Sequence, residues 1–433
     1  MAEPRSTDNV VQRRRPIRSS ASPATDELCR DESENETTKH PKKSGYLRCL
    51  LLMFGTIFGL VSFMITSVLL MLNDVSISAA YYELPQPPVY DGALSPNNML
   101  LNAKYILKDE IHGPESILYY KNSIYTGTKE GLIVEIKNDQ IARSIKLRST
   151  KIECAGSYDS ETSCGRPLGL RIFDENSIAF VDAYHGLYLL DLKTSQVSQL
   201  VDGGKIVNGK PLTFLNDLAV LKNGTILFTD SSAKYTRRDF MLNILEHAQD
   251  GRLLSYDTKT KELRVLLNNL FFANGVEITL DENFALVSEL TNARVLRYHL
   301  KGSKAGKVDT FSDNLPGFPD NIRRSSNGTY WVGMAMARQR GVLSFIDFLS
   351  TRPWLRSILA KIVLPKLWQP IIESVPGYGL AVQLDKSGKI VSTLHDPKGS
   401  TIRGISEIAD TGKALYFGSF NAPYIAKLVY DKS

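Results

Sequence analysis

From about residue 103 to the C-terminus, short apolar runs with the two-residue alternation of β-strands are punctuated by polar, turn-forming stretches. The recurring unit is an apolar strand, a small or acidic residue, a turn and a second apolar strand. Ile124-Tyr-Thr-Gly127 with Leu132-Ile-Val-Glu-Ile136 is one copy; Ala179-Phe-Val-Asp182 with Leu187-Tyr-Leu-Leu190 is another, and Leu227-Phe-Thr-Asp230 with Arg252-Leu-Leu-Ser-Tyr256 a third. Further copies begin at Ala285-Leu-Val-Ser288, Tyr330-Trp-Val-Gly333 and Leu415-Tyr-Phe-Gly418. Asn223-Gly224 and Asn327-Gly328 fall between strand-like runs, where such a pair favours a tight hairpin. Six repeats of this kind predict an all-β chain folded as a six-bladed β-propeller over residues 103–433, because radial repetition protects sheet edges.

Two stretches break the pattern. Between Gly341 and Val375 the apolar positions, among them Phe345, Phe348, Leu349, Trp354, Ile358 and Ile362, recur at helical spacing. This predicts a helical insertion at 341–375, one or two amphipathic helices lying over a propeller face. Trp354, Phe345, Phe348 and Trp368 beside Arg352, Arg356 and Lys361 give it the composition of an interfacial helix, so it is expected to roof the channel mouth and touch lipid or gate a ligand. Residues 49–72 carry no charge and are long enough to cross a bilayer as one helix.

That helix is read as an uncleaved signal-anchor, since a cleavable leader would lie nearer the N-terminus and have a shorter apolar core. Lys39, Lys42, Lys43 and Arg48 precede it, and Asn73-Asp74 follow, which places the N-terminus in the cytosol and the propeller on the lumenal or extracellular side. The expected localisation is a single-pass type II protein of the plasma membrane or endoplasmic reticulum. Residues 1–48 are too polar to fold and read as a disordered cytosolic tail, and 73–102, rich in Pro and Tyr, as an extended stalk. In the oxidising compartment Cys154 and Cys164 close a short loop and are expected to form a disulfide. Asn223-Gly-Thr225 and Asn327-Gly-Thr329 become glycosylation acceptors at Asn223 and Asn327, whereas Asn35-Glu-Thr37 lies in the tail.

Charge adds an exclusion. The 433 residues carry 52 Lys and Arg against 46 Asp and Glu, spread without a basic stripe or an aromatic platform, so the footprint of a nucleic-acid binder is missing. Gly-x-Ser-x-Gly, Walker A and His-Glu-x-x-His patterns do not occur, which removes support for serine-hydrolase, nucleotide and zincin chemistry.

Chemistry enters through four oxygen-rich segments at strand starts: His112-Gly-Pro-Glu115-Ser, Leu215-Asn216-Asp217, Ala273-Asn274-Gly275 and Pro319-Asp320-Asn321. They are spaced one or two blades apart. Two carboxylates and two amides around one axis suit a hard cation such as Ca²⁺, which binds oxygen and accepts mixed charge. Asn-Asp, Asn-Gly and Asp-Asn pairs are also turn formers, and Glu115 read alone is compatible with a surface charge.

Cys164-Gly-Arg-Pro-Leu-Gly169, Leu227-Phe-Thr-Asp-Ser-Ser232 with Lys234-Tyr235, Phe272-Ala-Asn-Gly-Val276, Leu315-Pro-Gly-Phe-Pro-Asp-Asn-Ile322 and Leu394-His-Asp-Pro397 carry a resemblance. From about residue 75 onward the chain resembles the strictosidine synthase-like branch of the calcium-dependent six-bladed propellers. In the wider group, with paraoxonases, gluconolactonases and diisopropylfluorophosphatases, a Glu, two Asn and an Asp hold a channel calcium. The resemblance places these on Glu115, Asn216, Asn274 and Asp320, with Asn321 as a fifth ligand and Asp217 a candidate for a second, structural calcium. It implies catalysis by Asp320, whose counterpart in the phosphotriesterase relatives is a proposed nucleophile. The paraoxonase Pro-His-Gly-Ile stretch reads Pro167-Leu168-Gly169-Leu170 here, without the histidine base. The glutamate of alkaloid-forming strictosidine synthases falls on Ser400, with Glu407 a displaced substitute, so that condensation is not expected. His112 and His185 remain as candidate general bases. The implied function is calcium-dependent hydrolysis of small aryl esters or lactones, with a non-catalytic propeller that binds a lipid, small ligand or membrane-protein partner as the alternative.

Overall fold

The computed structural model describes residues 43–72, 75–148, 151–375 and 377–430; the tail up to residue 42, including Asn35, lies outside them. Helix α1 (Lys43–Leu72) contains the apolar stretch Leu47–Val68, whose 22 residues rise about 33 Å and can cross a bilayer.

Residues 104–429 build six four-stranded antiparallel sheets around an axis. In chain order the inner strands of blades 1 to 6 are Ile117–Tyr120, Pro167–Asp174, Leu215–Val220, Ala273–Ile278, Gly317–Arg324 and Glu407–Asp410. Each repeat recognised in the sequence supplies the second strand of a blade, from Ser123–Gly127 to Ala414–Gly418. The ring closes where the repeat pattern was silent: Lys104–Ile106 pairs with Ile425–Val429 and completes blade 6. Joining the two ends of the ring in one sheet removes an open edge at the seam.

Apolar side chains fill the wedges between blades. Leu227, Leu253, Val276 and Val287 join blades 3 and 4, and Ile133, Leu170, Ile178 and Phe180 join blades 1 and 2. The Asn-Gly hairpins form, but with only Gly224 and Gly328 at positive φ (88° and 83°), as in a type I turn followed by a left-handed glycine rather than a two-residue type I′ turn.

Helices leave the sheets at three places, between blades 1 and 2 and within blades 3 and 5. The seven-residue α2 (Tyr158–Cys164) starts on a Ser157 capping box and is tied back by the Cys154–Cys164 disulfide. Another, α3 (Phe240–Glu246), lies between the second and third strands of blade 3. The predicted insertion, between the second and third strands of blade 5, holds three short helices instead of one or two: α4 (Phe345–Ser350), α5 (Pro353–Ile362) and α6 (Trp368–Ser374). Pro353 starts α5, and Pro365, in a one-turn 3-10 helix, separates α5 from α6.

The stalk is where the structure departs most from expectation. Residues 75–90 are extended, but they run along the propeller as a strap. Tyr82 stacks on His247 at 3.5 Å, and the ring of Phe271 lies 4.3 Å from the other partner of that stack. Two arginines fasten the strap. Arg356 of α5, buried, donates to the carbonyl oxygens of Leu245 and Ala80; Arg338, also buried, donates to Pro85 O and to Asp347 of α4. Arg356 is therefore a structural tie, not the solvent-facing base of an interfacial helix, and Trp368 is likewise buried. An extended chain leaves its carbonyl oxygens unpaired, and the arginine donors that meet them explain why a Pro-rich segment adheres here instead of standing free.

Burial, then the charges of Arg356 and Arg294, lower the His247 pKa from 6.5 to about 3. A depressed histidine pKa stabilises the fold above about pH 6.5 and loses that contribution as the pH falls toward the folded value. We predict that His247→Phe, which keeps the stack, gains thermal stability relative to wild type as the pH drops from about 7 to about 5. His395, lowered to about 4 by burial, remains in both proteins. A constant difference across that range would show that His247 is solvated.

Candidate functional site

The axial side chains are aimed by one repeated backbone device. Pairing between first and second strands shifts register at Pro167/Leu170, Leu215/Leu218, Ala273/Val276 and Pro319/Ile322 in blades 2 to 5. A β-bulge re-aims the residues inside it, and here those residues are Leu168, Asn216-Asp217, Asn274-Gly275 and Asp320-Asn321. The Asn and Asp pairs are thus bulges in inner strands and not turns. Two glycines permit the close approach. A Cβ at Gly275 would lie 2.5 Å from Asn321 Cα, and one at Gly169 would lie 2.7 Å from Asp217 Cα.

Glu115, Asn216, Asn274 and Asp320 line one cavity. Glu115 Oε2, Asn216 Oδ1, Asn274 Oδ1, Asp320 Oδ1 and both amide atoms of Asn321 are buried without a hydrogen-bond partner. The orientation of Asn216 is set from behind: its Nδ2 donates to Ser231 Oγ at 3.0 Å, and Ser231 Oγ donates to Ala273 O. Thr229 Oγ1 similarly holds the backbone carbonyl of Asn274 at 2.6 Å. Burial raises the pKa of Glu115, against the pull of Arg166 and Arg237, and raises that of Asp320, to which the charge of Glu115 adds. Two buried carboxylates that oppose each other's ionisation, with amide oxygens beside them, are a set of donors that could hold a hard cation. Among the described residues no group of three or more His, Cys, Asp or Glu could hold a metal, which sets softer nitrogen or sulfur coordination aside.

The remaining walls are apolar. Phe214, Phe272 and Phe318 each precede an axial residue by two positions and line the same cavity. Met241 and Ile244 of α3, Ile346 of α4 and Ile372 of α6 also line the cavity, so the insertion does contribute to its cover. One cation lies on the wall. Arg237 is held by Glu161 of α2 at 2.8 Å, which gives the disulfide-tied helix a part in shaping the site.

Beside these oxygens the axis carries a second polar cluster. Arg323 forks onto both oxygens of Asp217, at 2.7 and 2.9 Å, and also donates to Glu407, whose other oxygen accepts the Ile117 amide at 2.9 Å. Asp217 Oδ2 further accepts the Val276 amide at 2.8 Å. Asp217 is therefore occupied by a guanidinium and does not fit the role of ligand to a second calcium. Glu407 belongs to the same pair and does not line the cavity.

The other sequence candidates are dispersed. Ser400 hydrogen-bonds Asp396, His112 pairs with Glu130 at 3.0 Å, and His185 contacts Arg148 at 3.2 Å; none of them lines the cavity. Leu168 does line it. Sequence reasoning missed Arg237, Arg323 and the three phenylalanines. The repeated Phe-x-Asn, Phe-x-Asn, Phe-x-Asp spacing was the available signal for the last, and an arginine after Ile322 in an otherwise apolar strand was the signal for Arg323.

Fold and site together define a six-bladed propeller with an apolar axial cavity floored by unpartnered oxygens. Residues 216–303 match the strictosidine synthase family and residues 92–136 the strictosidine synthase-like N-terminal family. An adipocyte plasma membrane-associated protein from Salmo salar is 42% identical over 366 residues, 84% of this chain and 87% of its own length. The Homo sapiens protein of that name is 39% identical over 360 residues, 83% of this chain and 85% of its own. Among solved structures, a gluconolactonase from Xanthomonas campestris aligns with a TM-score of 0.50 at 14% identity, over 82% of this chain and 98% of that one, a likeness of fold. The chain belongs to the adipocyte plasma membrane-associated protein family, within the strictosidine synthase-like propellers.

Arg323 is central to the cluster with Asp217 and Glu407, and deleting one partner of a buried ionic group strands the others. We predict that Arg323→Met destabilises the protein by about 3–5 kcal/mol. Adding Asp217→Asn and Glu407→Gln to that variant should recover much of the loss in thermal unfolding. A single variant with unchanged stability would mean that water already screens the cluster.

Proposed function

We propose that this protein is a membrane-anchored, calcium-dependent hydrolase of small aryl esters or lactones. The observation that carries the reading is the set of buried oxygens of Glu115, Asn216, Asn274 and Asp320 with no partner in the protein, at the end of an apolar cavity. These four, with Asn321, would hold Ca²⁺. A bound calcium supplies Lewis acidity toward a carbonyl oxygen and the negative charge that develops on it. The chain's own residues do the rest. Phe214, Phe272 and Phe318 receive an aromatic or aliphatic body, while Asp320, hydrogen-bonded by the Asn274 side chain, is the proposed nucleophile. Its carboxylate would form an acyl-aspartate as the alkoxide or phenoxide leaves, and water would then hydrolyse that anhydride, releasing the acid and restoring Asp320. Arg237 offers a donor to a second acceptor on the ligand.

A second reading is favoured by Leu168. It lines the cavity at the position of the paraoxonase histidine, and no histidine lines the cavity among the described residues. In that reading the propeller binds a lipid-like or other small ligand without turning it over, and calcium serves stability.

Two measurements on the full chain in detergent separate the readings. An ion that binds only the folded state at a hundredfold excess over its dissociation constant adds about 2.7 kcal/mol, so calcium should raise the melting temperature of wild type but scarcely that of the Asn216→Ala, Asn274→Ala double variant. Equal shifts would reject the metal site. Phenyl acetate hydrolysis should fall with chelation and with Asp320→Asn. Calcium-dependent stability without such activity supports the binder.

The proposed topology puts the propeller on the lumenal or extracellular side, with α1 as a signal-anchor and residues 1–48 in the cytosol. It is supported by the Cys154–Cys164 disulfide, which suits an oxidising compartment. Asn223 and Asn327 are both exposed at hairpin turns. We predict that glycosidase treatment increases the gel mobility of the protein from a secretory-competent cell, and that Asn223→Gln with Asn327→Gln abolishes the change. Unchanged mobility of wild type would count against the topology or the use of these acceptors.

A further inference from the structure

The blade 5 insertion is apolar on two sides, and only one of them is accounted for by the core. Ile346, Leu349, Ala360 and Trp368 are buried in the largest apolar cluster. Leu343, Phe345, Phe348, Trp354, Ile358 and Leu367 are instead 39–78% exposed. On α5 the division is regular: Trp354, Ile358 and Lys361 recur at helical spacing on the outer side, and Arg356 and Ala360 are buried on the inner. Scattered exposed apolar residues need no explanation, but a contiguous segment of them marks an interaction surface.

The occupant can be chosen from charge and from chain length. Between residues 342 and 367 the single acid is Asp347, which Arg338 neutralises, whereas Arg352, Lys361 and Lys366 accompany the exposed apolar side chains. Bases, a tryptophan and large aliphatics on one surface are the composition that enters a phospholipid interface, with apolar groups at the acyl boundary and cations at the phosphates. The chain also carries its own apolar span, ending at Val68. Ser78, ten residues later, donates its amide to Glu246 of α3; Ala80 O accepts from Arg356 of α5, and the Tyr82 amide donates to Ser350 O of α4. Even at full extension a separation of ten residues could span at most about 36 Å. The first parts of the propeller that the anchor can deliver to a bilayer are therefore α3 and the insertion.

We propose that the outer face of the 342–367 insertion is a membrane-docking surface that seats on the phospholipid bilayer crossed by the chain's own N-terminal helix. This rests on the anchor reading of α1 and is independent of calcium and of hydrolysis. It also gives the exposed half of the insertion a role distinct from that of the buried half, which covers the cavity.

The protein contains its own probe. Of its three tryptophans, Trp331 and Trp368 are 4% and 5% exposed and Trp354 is 63% exposed. The full chain is reconstituted in nanodiscs of phosphatidylcholine and phosphatidylserine, with and without acyl-chain bromine. The expected result is quenching of roughly a third of the emission by brominated lipid, the share of one interfacial tryptophan. Trp354→Phe should abolish that quenching, and Leu343→Ser with Phe348→Ser should reduce it while leaving the melting temperature unchanged. Wild-type emission that brominated lipid leaves unquenched overturns the proposal, whether Trp354 is then in water or under another protein chain. Protein that fails to co-purify with the discs overturns the anchor reading and this proposal together.

Discussion

Two carboxylates and three amides are buried at the propeller axis without protein partners for their inward-facing atoms, and most of the surrounding architecture follows from keeping them there. Unpaired buried polar groups cost on the order of 1–3 kcal/mol each, and more when ionised. Such groups relax toward any available donor unless the backbone forbids it. The bulges in blades 3 to 5 turn the side chains inward, Gly275 lets the adjoining inner strand come close, and Ser231 Oγ accepts a hydrogen bond from Asn216 Nδ2. Each of these features prevents Asn216, Asn274 or Asp320 from satisfying itself locally.

The polar floor requires an unusual ceiling. A cavity whose walls are phenyl rings and branched aliphatics keeps the local dielectric low, which strengthens any charge interaction at the floor and raises the cost of leaving it uncompensated. That ceiling comes from outside the blade repeat: α3 interrupts blade 3, α4 and α6 interrupt blade 5, and α2 reaches the site through Glu161 and Arg237. Arg356 and Arg338 then tie the ceiling to the strap that leads back toward α1. A perturbation of the strap thus acts on the elements that cover the cavity, without touching the axial residues.

The blade count was legible because the second strands are mostly buried and carry an apolar run that ends on a small or acidic residue, a pattern that recurs in each blade. Closure through Lys104–Ile106 was not, since a three-residue strand has no periodicity to read. The four axial residues that share the cavity were visible as oxygen-rich pairs at strand starts, but their bulged conformation was not, because Asn-Gly and Asp-Asn serve turns equally well. The strap was misjudged for a related reason. Its Pro and Tyr content reports extension, whereas its adhesion depends on Arg338 and Arg356, more than 250 positions away in the chain. The same distance explains Arg356: helical spacing identifies the face of a residue, and only tertiary contact decides whether that face is wet.

The axis ends up with two polar clusters that solve one problem differently. At Asp217 and Glu407 the compensating cation is part of the chain, a guanidinium already hydrogen-bonded to both carboxylates. At Glu115 and Asp320 the guanidiniums of Arg166 and Arg237 act through charge: Arg237 and Nη2 of Arg166 donate to Glu161 and to the Gly113 and Phe420 carbonyls, while Nε and Nη1 of Arg166 have no hydrogen-bond partner. An internal cation fixes a structure permanently, because it cannot dissociate. Carboxylates that oppose each other with their cations held aside remain responsive to what enters the cavity. The second arrangement has value only for a protein that exchanges something at that position, which is why the cavity, and not the better-paired cluster beside it, is the place to look for function.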